Sequence, residues 1–156
     1  VLLAFIPFAD DEMVETEILT ALTRLSLREP GVEPDLVKAL EDAMPARRAA
    51  AAYVLGHVGG KKHVAKVATL LDDPNPVVRM RATQGMMAAR DKAALGSLPN
   101  LLTSVPDVYL PQVEDALSKL ASDKSPAEPI LADSRDSRLK AAKAWTNWIT
   151  AGANFQ

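Results

Sequence analysis

The sequence predicts an all-α fold, an α-α superhelix of about four to five helical hairpins whose last member is degenerate. Three observations carry this. Apolar and small residues recur at three- and four-residue spacing along most of the chain, the period of a helix with one buried face. Proline, glycine and asparagine interrupt that pattern at corners suited to short helix–helix connections. One register also recurs: a leading residue is followed at +3 and +4 by small or apolar side chains and at +7 by a larger apolar one. Arg48 leads Ala51, Ala52 and Leu55; Arg79 leads Ala82, Thr83 and Met86; Arg138 leads Ala141, Ala142 and Trp145. Glu15 fits with Ile18, Leu19 and Leu22, and Val113 with Ala116, Leu117 and Leu120. The successive intervals are 33, 31, 34 and 25 residues, so the last unit is short. No stretch carries the alternation of a strand.

In order along the chain, Val1 to Phe8 reads as the end of a helix stopped near Pro7. Asp10-Asp11-Glu12 is an acidic corner suited to the positive N-terminus of the next helix, whose stripe is Val14, Ile18, Leu22 and Leu25. Glu29-Pro30-Gly31 is a loop, and Pro34 opens a short helix with Leu36, Val37 and Leu40. Ala46 to Val58 is an alanine-rich helix that stops at Gly59-Gly60. Lys61 to Leu71 turns Val64, Val67 and Leu70 inward. Asp72-Asp73-Pro74-Asn75-Pro76 then forces a tight corner, with Asn75 as N-cap and Pro76 at the first helical position, where its missing N–H costs nothing. Val77 to Ala89 follows, with the stripe Val78, Ala82, Met86 and Ala89. Gly96 and Pro99 place the start of a further helix near Ser97, running to about Thr103. Pro111 to Ala121 is helical, Ser122 to Ser134 a long polar loop, and Ser137 to about Ala151 a final helix carrying Leu139, Ala142, Trp145 and Ile149. The approximate units are 1–28, 32–60, 61–90, 92–122 and 135–151, read as one domain.

Composition bounds the function. With no cysteine among 156 residues, disulfides, thiolate zinc sites and cysteine nucleophiles are excluded. Cysteine absence leaves cytoplasm and periplasm equally open. Aromatic residues are only 4%, which favours close helix packing over a thick aromatic core. No segment reaches the roughly 18 apolar residues of a transmembrane helix. The apolar opening VLLAFIPF has no initiator Met and no basic residues before it, so the chain reads as a piece of a longer protein. Charge is unevenly spread. Residues 1–46 hold ten acids and three bases, residues 47–92 three acids and nine bases, and residues 93–156 seven acids and six bases. The basic middle could meet an anionic partner, or its arginines could be consumed by internal pairs.

Asp72 to Ala82, DDPNPVVRMRA, and Pro45 to Gly56, PARRAAAAYVLG, resemble the second helix of HEAT repeats, closest to the short variety of phycobilisome lyases and many bacterial proteins. Arg48 follows Asp42 by six residues and Arg79 follows Asp73 by six, matching the family's turn aspartate and helix arginine. The resemblance implies that Asp42, Arg48, Asp73, Arg79 and Arg138 are structural groups tying adjacent repeats, and Arg79 is expected to be a tie from the Asp73 turn to a neighbouring repeat. Glu15 and Val113 depart from the arginine pattern. AAKAWTNWI resembles the tryptophan helix that closes some bacterial arrays, and Trp145 and Trp148, three apart, share a face that can cover an exposed end.

Chemistry-bearing constellations are thin. His57 and His63 flank a Gly-Gly break with no third ligand, so no metal or cofactor is expected. Gly59-Gly60-Lys61-Lys62 lacks phosphate-loop spacing, and no G-x-S-x-G occurs. The leading expectation is a non-catalytic scaffold that binds another protein or other domains of its own longer chain. Arg47 and Arg81, outside the +3, +4 and +7 packing slots and therefore expected to be exposed, are the candidate contacts, with Lys61 and Lys62. Nucleic-acid binding through the basic middle is an alternative opposed by a pI near 5.7. A bilin lyase-type enzyme is a further alternative, implied by the repeat variety alone.

Overall fold

The computed structural model describes residues 2–9, 11–28, 32–58, 60–121, 126 and 134–152. Among them every regular element is a helix: α1 Leu2–Phe5, α2 Glu12–Arg28, α3 Val32–Ala39, α4 Pro45–Val58, α5 Gly60–Ala68, α6 Pro76–Ala88, α7 Ala93–Ser104, α8 Leu110–Ala121 and α9 Arg135–Thr150. Short 3₁₀ turns follow α1, follow α5 and precede α8. The chain divides into two compact units, Val1–Asp91 and Lys92–Gln156.

In the first unit α4 is central, packing most closely on α6, on α2 at its other flank, and on α3 and α5. Its sequence explains this. Ala49, Ala50, Ala51 and Ala52 are at most 2% exposed, and such small side chains let neighbouring helices approach on several sides. At Gly56 the approach is closest: a Cβ there would lie 2.3 Å from the backbone of Gly85 on α6. Local signals fix the corners. The Asn75 side chain accepts from the amides of Val77 and Val78 at 2.9 and 3.3 Å, capping α6 with Pro76 in its first turn. Asp11 and Asp42 accept in the same way from the amides two residues on, Met13 and Met44.

The buried face of α2 is rotated from the expected one. Leu19 and Leu22 are buried, whereas Val14 and Leu25 are 49% and 39% exposed. The half-buried Glu15 occupies the inward turn instead, because an arginine from α6 meets it there. The helix of Lys61 to Leu71 ends in a 3₁₀ turn at Thr69–Asp72, with Val67 and Leu70 buried as expected.

In the second unit α7 packs on both α8 and α9. It begins at Ala93, four residues before the expected Ser97. Pro99 therefore sits inside the helix and leaves the Leu95 carbonyl without its intrahelical donor. Burial of Ala94, Leu95, Leu98, Leu101 and Leu102 outweighs that loss. On α8, Val113, Leu117 and Leu120 point inward. Ser134 caps α9, accepting from the Ser137 amide at 3.2 Å. Ala141 and Trp145 face inward there, while Leu139, expected in the stripe, is 49% exposed. The expected loop of Ser122 to Ser134 lies almost wholly outside the described residues.

Candidate functional site

The corner residues form one connected set. Arg48 donates through Nε and Nη2 to the two carboxylate oxygens of Asp73 at 2.8 and 3.0 Å, joining the start of α4 to the corner before α6. Its Nη1 donates to the backbone carbonyls of Asp42 and Ala43, in its own corner. Arg79 repeats the second half of this pattern, its Nη1 donating to the carbonyls of Asp73 and Pro74 at 2.7 and 3.2 Å. The six-residue spacing thus joins an arginine to a carbonyl oxygen, and the aspartate's carboxylate is left for the arginine of the preceding hairpin. Arg79, expected to reach a neighbouring repeat, holds its own corner because the two carbonyls converge on its guanidinium. The Asp42 carboxylate goes to Arg47, at 3.3 Å, rather than to Arg48.

Electrostatics follow the geometry. Burial alone would raise the Asp73 carboxyl, but the bonds from Arg48 and the Asn75 amide and the Arg48 and Arg79 charges outweigh it, holding it below the ordinary value. The bond to Asp73 raises Arg48 above its ordinary value against the effect of burial. Asp42 is also lowered, first by the Met44 amide and then by Arg47.

A second polar set crosses the second helices α2, α4 and α6. Arg81 on α6 is 3% exposed, which corrects its expected place on the surface. α6 buries more than one stripe: Val78, Met80, Thr83 and Met86 are enclosed as well, so positions outside the packing slots are covered too. The guanidinium of Arg81 lies 5.8 Å from the ring centroid of Tyr53 on α4. It meets Glu15 on α2 at 3.0 Å and donates to Gln84 at 2.9 Å. Tyr53 stacks on His57 at 4.1 Å, and His57 Nδ1 donates to the Tyr53 carbonyl at 2.7 Å, which fixes the ring proton on Nδ1. His57 is exposed, and Tyr53 and Gln84 are half-buried. Sequence reasoning missed Tyr53 and Gln84 as a pair, yet both stand five residues after the leading arginine of their helices. That shared register was the available signal.

The remaining candidates are dispersed. Arg47, half-buried, lines a groove of about 490 Å³ with Leu3, Asp35 and Glu41. It lies about a third of a turn from Tyr53 around α4. Lys62 is exposed on α5, in the other helix of its hairpin, and the Lys61 side chain lies outside the described residues. In the second unit Arg138 donates to Asp107 at 2.9 Å, joining α9 to the turn before α8. Trp145 is buried, and Trp148 meets it edge-on at 5.7 Å between centroids.

Four of the arginines in the basic middle, Arg47, Arg48, Arg79 and Arg81, are engaged within the first unit. The exposed cations among the described residues of that stretch are Lys62 and Lys66, one turn apart on α5, and Arg90 and Lys92 in the corner after α6. Among the described residues no group of three or more His, Asp or Glu could hold a metal ion, and no helix is long and apolar enough to cross a membrane. A family model described as HEAT repeats matches residues 1–87 and, in a second placement, residues 33–118. No curated protein and no solved structure matches the chain.

Proposed function

The chain belongs to the HEAT-repeat family, and from that premise we propose that it is a non-catalytic scaffold whose second-helix face binds another protein. HEAT repeats commonly serve as protein-interaction scaffolds and are generally non-catalytic. The observation that carries the reading is the Glu15–Arg81 pair passing beside Tyr53. It links the outer second helices of the first unit past the central one, and so keeps the Tyr53, His57 and Gln84 side chains in a fixed relation. A rigid, amphipathic surface of this kind loses little conformational entropy on binding. Tyrosine and histidine combine an apolar body with a polar edge, which suits contact with a partner's backbone and side chains alike. Arg81 supports this face from beneath and is not itself a contact. Arg47, on another side of α4, and Lys62, on α5, lie off this face and would steer an acidic partner more than anchor it. Engagement of four arginines inside the fold speaks against the nucleic-acid reading, which needs cations free to meet phosphates.

The test is site-specific photo-crosslinking in a native extract, with the reactive group at position 57 or at position 66 on α5. One partner should be captured from position 57, be lost in Tyr53→Ser, and be absent from position 66. Thermal melting should stay nearly unchanged with the reactive group at either position, and Tyr53→Ser, which loses half-buried packing, should melt earlier yet remain folded at the temperature of capture. Equal capture from both positions, or capture indifferent to Tyr53→Ser, would overturn the reading.

A further inference from the structure

We propose that a separate surface, formed by α1, the 3₁₀ turn after it and the first turn of α2, docks a cationic amphipathic helix of another protein. Phe5 and Phe8 stand three residues apart on one side of this segment and are 58% and 75% exposed, while Ile6 between them is buried. Met13 is 75% exposed and Val14 49%. Single exposed apolar residues are ordinary, but here four large ones fall within ten residues, on α1, the turn after it and the start of α2, against which α1 packs. Clustered exposed apolar side chains mark interaction sites. Elsewhere among the described residues such side chains stand singly or in pairs. Paired phenylalanines with an unbranched, adaptable methionine suit the apolar stripe of a helix laid across them.

Charge selects the occupant. Residues 1–46 carry ten acids against three bases. On the patch itself Asp11 and Glu17 are exposed beside Met13 and Val14, with Glu17 one helical turn from Met13. Asp35 and Glu41 are exposed in the groove lined by Leu3 and Ala4 of α1, where Lys38 offsets one of them and Arg47 is paired with a third acid, Asp42, leaving an acidic excess of one. An anionic bilayer or a nucleic acid would meet like charge here, and so would a second copy presenting the same surface. A helix with an apolar stripe flanked by lysine or arginine complements both the phenylalanines and the carboxylates. This surface shares neither Tyr53 nor His57, so it stands or falls apart from the second-helix face.

Fluorescence anisotropy of a labelled synthetic peptide, leucine and lysine at amphipathic helical spacing, tests it on the full chain. A matched peptide with glutamate in place of lysine is the control. The lysine peptide should bind, weaken with rising salt, and lose affinity about ten-fold or more in the Phe8→Ser/Met13→Ser variant. Glu17→Lys should weaken it too, and the glutamate peptide should not bind. The substituted residues are exposed, so circular dichroism melts should match the wild type; Phe8→Ser alone serves if the double variant melts early. Binding unchanged in the serine variants would mean charge alone captures the peptide, and the proposal fails. It fails also if both peptides bind equally, if the wild type is a dimer that Phe8→Ser dissociates, or if phosphatidylserine vesicles, not the lysine peptide, are retained through Phe8.

Discussion

Removing the Asp73 carboxylate should destabilise the first unit out of proportion to one side chain. Asp73→Ala deletes the two carboxylate acceptors of Arg48 Nε and Nη2, leaving only its Nη1 bonds to the Asp42 and Ala43 carbonyls, and deletes the acceptor of the Asn75 amide. It strands a guanidinium whose side chain is 15% exposed beside a carboxylate that was 5% exposed. Breaking a buried pair from one side costs about 3–5 kcal/mol, and the partial exposure of Arg48 puts this case near 3 kcal/mol. With a urea slope of about 2 kcal/mol/M the unfolding midpoint should fall by roughly 1.5 M. Arg48→Ala should cost a similar amount, and the double variant little more than either, a coupling of at least about 1 kcal/mol. Acid adds a second reading. The Asp73 carboxyl lies below its ordinary value in the fold, so as pH falls the unfolded chain takes up that proton first. Its contribution is complete above the ordinary aspartate value of about 3.9 and lost as pH drops through the lower folded value. Asp73→Asn, which can still accept from Asn75, should flatten that part of the acid-unfolding curve. Additive single variants, within about 0.5 kcal/mol, would refute the bridge as an energetic link.

Three further outcomes follow from the packing. Gly56→Ala and Gly96→Ala should have opposite signs in urea titrations: the first meets the Gly85 backbone and should cost about 2 kcal/mol or more, whereas the second enters open space and should gain up to about 1 kcal/mol of helix propensity. Arg81→Met should cost about 2 kcal/mol by leaving the Glu15 carboxylate without its cation, and Glu15→Leu/Arg81→Met should regain much of that loss in thermal melts. Trp145→Ala, at 5% exposure, should cost about 3–5 kcal/mol in chemical denaturation, and Trp148→Ala clearly less.

Fold class was legible because it rests on local chemistry. Asn75 followed by Pro76 caps a helix in any context, and the alanines after Arg48 permit close packing whichever helix they meet. Boundaries followed wherever such a signal existed. They slipped at α7, where Pro99 is a strong local reason to start late and the burial of Ala94 and Leu95 is a tertiary reason to start early. The faces of α2 and α9 slipped for a related cause. Val14 and Leu139 look like core by type, but which face is covered depends on the neighbours available.

The candidate site was less legible, because its pairs join residues far apart in sequence. Asp42 and Arg48 attract attention by their spacing of six, yet that spacing encodes a bond to a carbonyl, to which any residue type contributes equally. The identity of the aspartate matters for the partner 25 residues away, Arg48 with Asp73. Glu15 looked like a lapse in the arginine pattern; it is the residue that receives Arg81 from 66 positions downstream. Arg81 itself shows why a packing frame alone misjudges exposure. A frame written for one buried stripe does not foresee that α6 also encloses Met80, Arg81 and Thr83 on its flanks. The polar residues on those flanks must then find partners across neighbouring helices, since an unpaired charge could not be held there. Departures from a repeat's own pattern, read together with their register, are therefore where contacts between non-adjacent helices should be sought first.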